Sequence, residues 1–505
     1  MSKPVNRWFE LSESLERSIL SGRAEDLSPR HLEKLPIVPP LKSAYNGILE
    51  SVRNVSEGVL NSAWFSVIGL YGSGKTFLLR RVAHEALRKH ENVIPIYFYL
   101  GNKDEILLFT SLGKYIGDVE EYIKSNGKIA STKTHGEPGL WGKRLEALKE
   151  VYEKVKGEKE KIKYDVELFF NAMRELNRKG YYPLIVLDEF ERVVYTGEGI
   201  SDSNSALLNF DYLSQHFLEL TRGHLFQGVG VLALTEDLPT LVRKAKREGF
   251  PQVSQVERVR VGDYEKLEIA SPNIVFNGKY SLNWNYDHLN MLCKELGILL
   301  PQDLINAVSR ILPTPRAIIN INNRARELGI EKVDRKSIYK LIEEPLETLT
   351  DSMKKYETKS GNPLLYPTAK WDEWFKTLLE EGYYAINRNE LPVIGKLIRE
   401  RGLISKRKEE KGEGRKEDDE KRMREIGRWV IDTLVDCGLY DKVGKVYYLK
   451  RELMAYLLRI ERLPSGEYTD LSRVLEIIGS AVEERRERSR NYRRRTSKSA
   501  KEKSS

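Results

Sequence analysis

The sequence predicts an α/β protein: a parallel sheet flanked by helices, then a helical segment, a smaller α+β domain and an unstructured basic tail. Three observations carry that prediction. A strand-like run, Phe65-Ser66-Val67-Ile68, passes through a glycine-rich stretch directly into a helical pattern, Phe77 to Ala83. Further apolar runs, Val93 to Leu100, Tyr182 to Leu187 and Val229 to Leu234, alternate with helical segments and are the mark of strands buried on both faces. Towards the C-terminus, helical patterns at Trp371 to Glu381, Leu391 to Arg401 and Arg424 to Asp436 lead into a hairpin-like run, Leu439 to Leu449, with its turn at Gly444.

The chain has 505 residues, 40% hydrophobic and 31% charged, which is enough for two or three buried cores. No apolar run approaches the roughly 18 residues that cross a bilayer, so no membrane partner is expected. The first residues, Met1 to Arg7, reach charge without an apolar core, and a cytoplasmic location is expected. Two cysteines, Cys293 and Cys437, sit in apolar helical patterns and read as core thiols. The seven histidines include no i, i+4 pair, so a protein-built metal site is not expected. Abundant Lys, Arg and Glu beside only five Gln is the balance of a thermophile.

The net charge of +9 is concentrated at one end. Residues 485–505 hold ten Lys/Arg against two Glu, or +8, which leaves +1 for everything before them. Such a segment has too little apolar surface to offset ordering entropy and is expected to be unstructured in isolation, while remaining able to bind polyanions through Arg493, Arg494 and Arg495. Ahead of it, Leu471 to Val482 repeats apolar residues at helical spacing and predicts an amphipathic helix. Lys406 to Arg422 holds eight basic and seven acidic residues with Gly412 and Gly414, and reads as a flexible insertion. Prolines 345, 363 and 367 suggest a connection between folded units over residues 343–367.

The glycine-rich stretch is Gly69-Leu70-Tyr71-Gly72-Ser73-Gly74-Lys75-Thr76, a full G-x-x-x-x-G-K-T between strand and helix. Glycines let backbone N–H groups converge on phosphate oxygens, and the next helix adds its positive dipole end. Lys75 then reaches the β and γ phosphates, and the Thr76 hydroxyl is a ligand for Mg²⁺. A carboxylate is needed on a neighbouring parallel strand, and Leu184 to Leu187 ends in Asp188-Glu189. Asp188 would orient the metal and its waters, and Glu189 would polarise an attacking water as general base. The run Val229 to Leu234 ends in Thr235, a candidate for contact with the γ phosphate or that water.

In these residues the chain resembles the AAA+ superfamily of P-loop ATPases, and more loosely its archaeal origin-recognition initiator branch. Gly69 to Thr76 matches the Walker A motif and Leu184 to Glu189 the Walker B motif of proteins that bind and hydrolyse ATP with Mg²⁺. The resemblance implies an ATPase core over 41–270 behind an N-terminal helical extension, 1–40, and a helical lid over 271–345. It implies a winged-helix-like domain over 368–465 with the insertion 406–422, then the amphipathic helix, 466–484, and the disordered tail, 485–505. Pro313-Thr314-Pro315-Arg316-Ala317-Ile318 looks like the start of a sensor 2 helix, in which Arg316 would reach the γ phosphate. Subunits of the superfamily complete each other's sites with an arginine. Arg243, Arg247, Arg258 and Arg260 follow the third strand, and Arg247 is the candidate named here, so a homo-oligomer or a partner protein is implied.

The winged helix implies double-stranded DNA as partner, approached by the hairpin lysines Lys442 and Lys445. The resemblance departs in two places: the sensor 1 strand end carries Thr235 or Glu236 rather than asparagine, and 113 positions separate Lys75 from Asp188, with Arg144 to Lys163 looking like an insertion. Two other readings use the same loop. In a signalling or defence ATPase of the STAND or phage-exclusion type the C-terminal module docks protein. In a transposition or plasmid-maintenance helper a recombinase recruits the chain.

Overall fold

The structure, a computed structural model, describes residues 29–100, 107–127, 136–162, 165–190, 226–237, 277–330, 333–357, 359, 361, 370–404, 416–460, 463 and 469–502. Residues 1–28 of the predicted N-terminal extension and most of the charged insertion lie outside these, as do Arg243, Arg247, Arg258 and Arg260. The chain forms two compact units, one of residues 1–284 and 295–297, the other of 285–294 and 298–505. No described helix is long and apolar enough to cross a membrane.

In the first unit, helices α1 (Pro29–Lys34) and α2 (Leu41–Ser56) lead into strand β1 (Ser62–Ile68). Then follow α3 (Lys75–Lys89), β2 (Val93–Tyr99), α4 (Leu108–Lys124), α5 (Gly142–Lys156), α6 (Asp165–Arg178), β3 (Tyr182–Asp188), β4 (Gly228–Leu234) and β5 (Gly278–Ser281). The five strands form one parallel sheet in the order β2-β3-β4-β1-β5. Every residue of β4 is buried, as are six of the seven in β1, β2 and β3, the outcome expected when helices cover both faces of a parallel sheet. Helix α2 packs on β1 and β4, α3 on β2 and β3, α4 on β2, and α6 on β3. Pro95 is tolerated because, among the described residues, β2 ends the sheet order and pairs with β3 alone.

The charged stretch from Arg144 to Lys163 carries α5, which packs between α4 and α6. Arg144 is its anchor: buried, it donates to the Leu140 carbonyl and, at 2.9 and 2.7 Å, to those of Leu87 and His90 at the end of α3. Burial lowers its pKa, and the three carbonyls around the guanidinium offset part of that desolvation.

Helix α7 (Tyr286–Leu296) belongs to the second unit as far as Lys294, and that unit continues with α8 (Gln302–Ile311), α9 (Pro315–Glu327) and α10 (Arg335–Lys355). Helix α10 begins with Asp334 accepting from the Ser337 N–H at 2.8 Å, a capping box. It runs through Pro345, where the sequence pattern suggests a connection. Leu341, Ile342, Leu346, Leu349 and Met353 are buried at helical spacing, and their packing outweighs the missing backbone bond.

The remaining elements are α11 (Trp371–Glu380), β6 (Ala385–Asn387), α12 (Leu391–Glu400), α13 (Lys416–Asp436), β7 (Tyr440–Val443), β8 (Val446–Leu449) and α14 (Arg451–Leu457). The order α-β-α-α-β-β with an antiparallel sheet β6-β8-β7 is that of a winged helix. Helix α13 starts eight residues before the predicted Arg424, so residues 416–422 of the expected flexible insertion are helical. Helix-favouring charged residues and ion pairs Arg399–Asp419 at 3.2 Å and Arg424–Glu420 at 3.4 Å support that extension. Helices α12 and α13 meet at Gly395 and Gly427. A Cβ at Gly395 would lie 1.9 Å from the Met423 carbonyl oxygen, and one at Gly427 would lie 2.0 Å from that of Leu391.

The last helix, α15 (Leu471–Glu502), buries Val474, Leu475, Ile478 and Val482 against α13 and α14. An ion pair joins its Arg485 to Asp436. Its backbone continues through residues 485–502, the segment expected to lack structure in isolation. Attached to a nucleated, packed helix, each added residue gains a hydrogen bond without a new nucleation cost.

Candidate nucleotide site

The loop between β1 and α3 turns on two glycines in the left-handed region, Gly72 at φ 79° and Gly74 at φ 93°, where a side chain is disfavoured. Its start is fixed by the Gly69 N–H donating to Leu234 of β4 at 3.0 Å, and the Ser73 N–H closes it on the Leu70 carbonyl at 3.0 Å. Lys75, 7% exposed, turns its ammonium back onto the loop and donates to the carbonyls of Gly69 at 2.7 Å and Leu70 at 3.3 Å. Ser73 Oγ is buried with no partner among the described residues. Tyr71 and Leu70 lie on the outer part of the loop, Leu70 exposed.

Strand β3 delivers Asp188 to this loop, fully buried. The Thr76 hydroxyl donates to Asp188 Oδ2 at 2.8 Å, which joins the two motifs read from sequence across 112 positions. The Tyr97 hydroxyl, from β2, donates to the same oxygen at 2.6 Å, and the Glu189 N–H donates to Oδ1 at 3.0 Å. Burial raises the pKa of Asp188, against the pull of the Tyr97 and Thr76 hydrogen bonds and the charge of Lys75. Glu189 stands at φ 54°, a costly backbone for a glutamate, and its Oε1 accepts from Tyr99 at 3.0 Å. Tyr97 and Tyr99, two apart on one strand, thus serve the last residue of β3 and the residue that follows it.

Neither tyrosine was identified from sequence, where both read as apolar strand residues. Trp284 was missed as well: 6% exposed, it donates its indole N–H to the Ser73 carbonyl at 2.9 Å. Thr235 follows the last residue of β4 and is partly exposed, beside the strand end that meets Gly69. Arg316 is the second residue of α9, after Pro315 at the first turn, and belongs to the second unit. Arg247 lies outside the described residues.

Hard oxygen donors in Thr76 and Asp188, a lysine folded over the loop and a buried serine hydroxyl within it suit Mg²⁺ and a polyphosphate. In the second unit, Lys442 and Lys445 are exposed on the β7–β8 hairpin, whose register leaves Gly444 and Lys445 as its two-residue turn. Lys442 Nζ lies 5.4 Å from the Tyr447 ring centroid. Arg493, Arg494 and Arg495 fall in the C-terminal half of α15.

No family profile matches this chain, and no curated protein matches it. Among solved structures, it is similar to the Aeropyrum pernix ORC2 protein in ADPNP–ADP complexes, at 14% identity and TM-score 0.38, over 93% of this chain and 98% of that one. The Aeropyrum pernix ORC1 protein in complex with DNA is similar at 16% identity and TM-score 0.36, covering 88% and 95%. Cdc6p from Pyrobaculum aerophilum is similar at 12% identity and TM-score 0.37, covering 89% and 95%.

Proposed function

We propose that this chain is an AAA+ protein that binds and hydrolyses ATP and works as a nucleotide-dependent DNA-binding switch, initiator-like in DNA replication or in plasmid or virus maintenance. The observation that carries the reading is the Thr76 hydroxyl on the Asp188 carboxylate at 2.8 Å, beside a lysine already folded over a glycine loop. Lys75 exchanges its carbonyl partners for β and γ phosphate oxygens. Thr76 and Asp188 would hold Mg²⁺, which when bound draws negative charge from the phosphates. Glu189 accepts the proton of the water that attacks the γ phosphorus, leaving ADP and phosphate. Thr235, Arg316 and, from a neighbouring copy, Arg247 are proposed to contact the same phosphate.

For DNA, the hairpin lysines Lys442 and Lys445 and the basic half of α15, with Arg493, Arg494 and Arg495, are proposed to contact backbone phosphates, a salt-dependent mode. Two measurements test the reading. Calorimetry with ATP and Mg²⁺ is expected to register binding that Lys75→Ala abolishes. Fluorescence anisotropy on a mixed-sequence duplex is expected to show affinity that changes with nucleotide and falls steeply with salt. Binding that ignores nucleotide would leave an ATPase without the switch.

A further inference from the structure

The segment that follows β5 lies on the phosphate loop at two points. The Leu282 N–H donates to the Ile68 carbonyl at 2.7 Å, and a Cβ at Gly69 would meet Leu282 Cβ at 3.0 Å. Two residues on, the Trp284 indole donates to the Ser73 carbonyl at 2.9 Å in a buried setting. That carbonyl belongs to the peptide unit joining Ser73 to Gly74. A trans peptide is planar, and its C=O and N–H point in opposite directions. A donor that fixes the Ser73 oxygen on one side therefore fixes the Gly74 N–H on the other, at a residue whose φ of 93° already lies outside the range most residues hold.

From this geometry we infer that Trp284 is a positioning residue for polyphosphate: it orients the Gly74 N–H as a phosphate donor at the start of α3. The inference rests on the nucleotide-site reading above and adds a residue to that site. Glycine's freedom makes the device necessary. A Gly-rich loop samples many backbone states, and each N–H that must be frozen on binding costs entropy. A buried hydrogen bond outside the loop removes that cost in advance. The indole supplies a donor only, so it cannot accept from the loop N–H groups in competition with the phosphate.

The experiment compares wild type with Trp284→Phe, and with Trp284 replaced by benzothienylalanine, which keeps the bicyclic shape and lacks the N–H. The probes are ATP with Mg²⁺ and inorganic tripolyphosphate, measured by calorimetry, with steady-state hydrolysis alongside. The isostere is expected to melt as the wild type does and to bind both probes about fivefold to tenfold more weakly, the size of one missing buried hydrogen bond. In hydrolysis the loss is expected in KM, with kcat unchanged, because the oriented N–H serves ground and transition states alike. Wild-type affinity in the isostere would overturn the inference even if Trp284→Phe fails to fold. Loss of ATP affinity with tripolyphosphate affinity intact would overturn it too, since the effect would then lie at the base or sugar. A wild-type protein that binds neither probe would overturn the nucleotide-site reading itself.

Discussion

Around Asp188 position is set by donors: Tyr97 and Thr76 on one oxygen, the Glu189 N–H on the other, and Lys75 nearby on loop carbonyls. Around α12 and α13 position is set by contact, with Gly395 and Gly427 letting two backbones meet where a methyl group would lie within about 2 Å of a carbonyl. The first arrangement is sensitive to the loss of a hydroxyl or a charge. The second is sensitive to the gain of a methyl. Chemistry that must change charge needs the former; a crossing that must keep its shape is served by the latter.

The largest expected effect comes from Gly427→Ala. Overpacking at a backbone crossing costs about 3 kcal/mol or more, because α13 is also packed against β7 and α12 against α11, so neither helix can step aside without disturbing a neighbour. Calorimetric melting is expected to show the second unit unfolding earlier while ATP affinity, read at the lower temperature, is retained. A parallel fall in ATP affinity would break the contrast between the two regions.

Next is Glu189→Gln, expected to bind ATP normally and to hydrolyse it roughly 10²-fold more slowly. Single-turnover assays read this directly, and unchanged turnover would remove Glu189 from the role of base. Tyr97→Phe is smaller. It takes one of three donors from a buried carboxylate, a charge-assisted bond worth about 2 kcal/mol. The variant is expected to lower the melting temperature and to need more Mg²⁺ for ATP binding, with DNA affinity at fixed nucleotide occupancy untouched. The smallest effect belongs to Lys442→Ala with Lys445→Ala. Removing these exposed lysines is expected to reduce duplex affinity severalfold and to lower the salt slope by about one for each phosphate they neutralise. Melting is expected to fall by no more than the exposed Lys442–Tyr447 contact contributes, which sharpens the contrast with the buried charge around Asp188.

What the sequence discloses follows the same division. The loop, its lysine and the acidic strand end are local patterns, so Gly69 to Thr76 and Asp188-Glu189 are legible without a partner. The apolar runs of β1 to β4 are legible because burial on both faces leaves no polar positions. Strand β5, four residues alternating between partial and full exposure, has no such signature and exists through its pairing with β1. Strand β6, three residues long, depends likewise on β8. Tyr97, Tyr99 and Trp284 look like core aromatics in one dimension, and their hydroxyl and indole groups gain meaning only when Asp188, Glu189 and Ser73 are brought to them. The connection expected over 343–367 is helical as far as Lys355 and the insertion expected over 406–422 is helical from Lys416, because packing that sequence alone does not display outweighs local breakers and charge there.

Arg144 gives the stretch that seemed a mere insertion an electrical consequence. Helix α3 begins at the phosphate loop and ends about 22 Å away, at 1.5 Å per residue, where its last carbonyls carry the negative pole of the macrodipole. The guanidinium fastened to the Leu87 and His90 carbonyls compensates that pole inside the protein. With its far end neutralised, the helix acts on the loop as a one-sided source of positive potential.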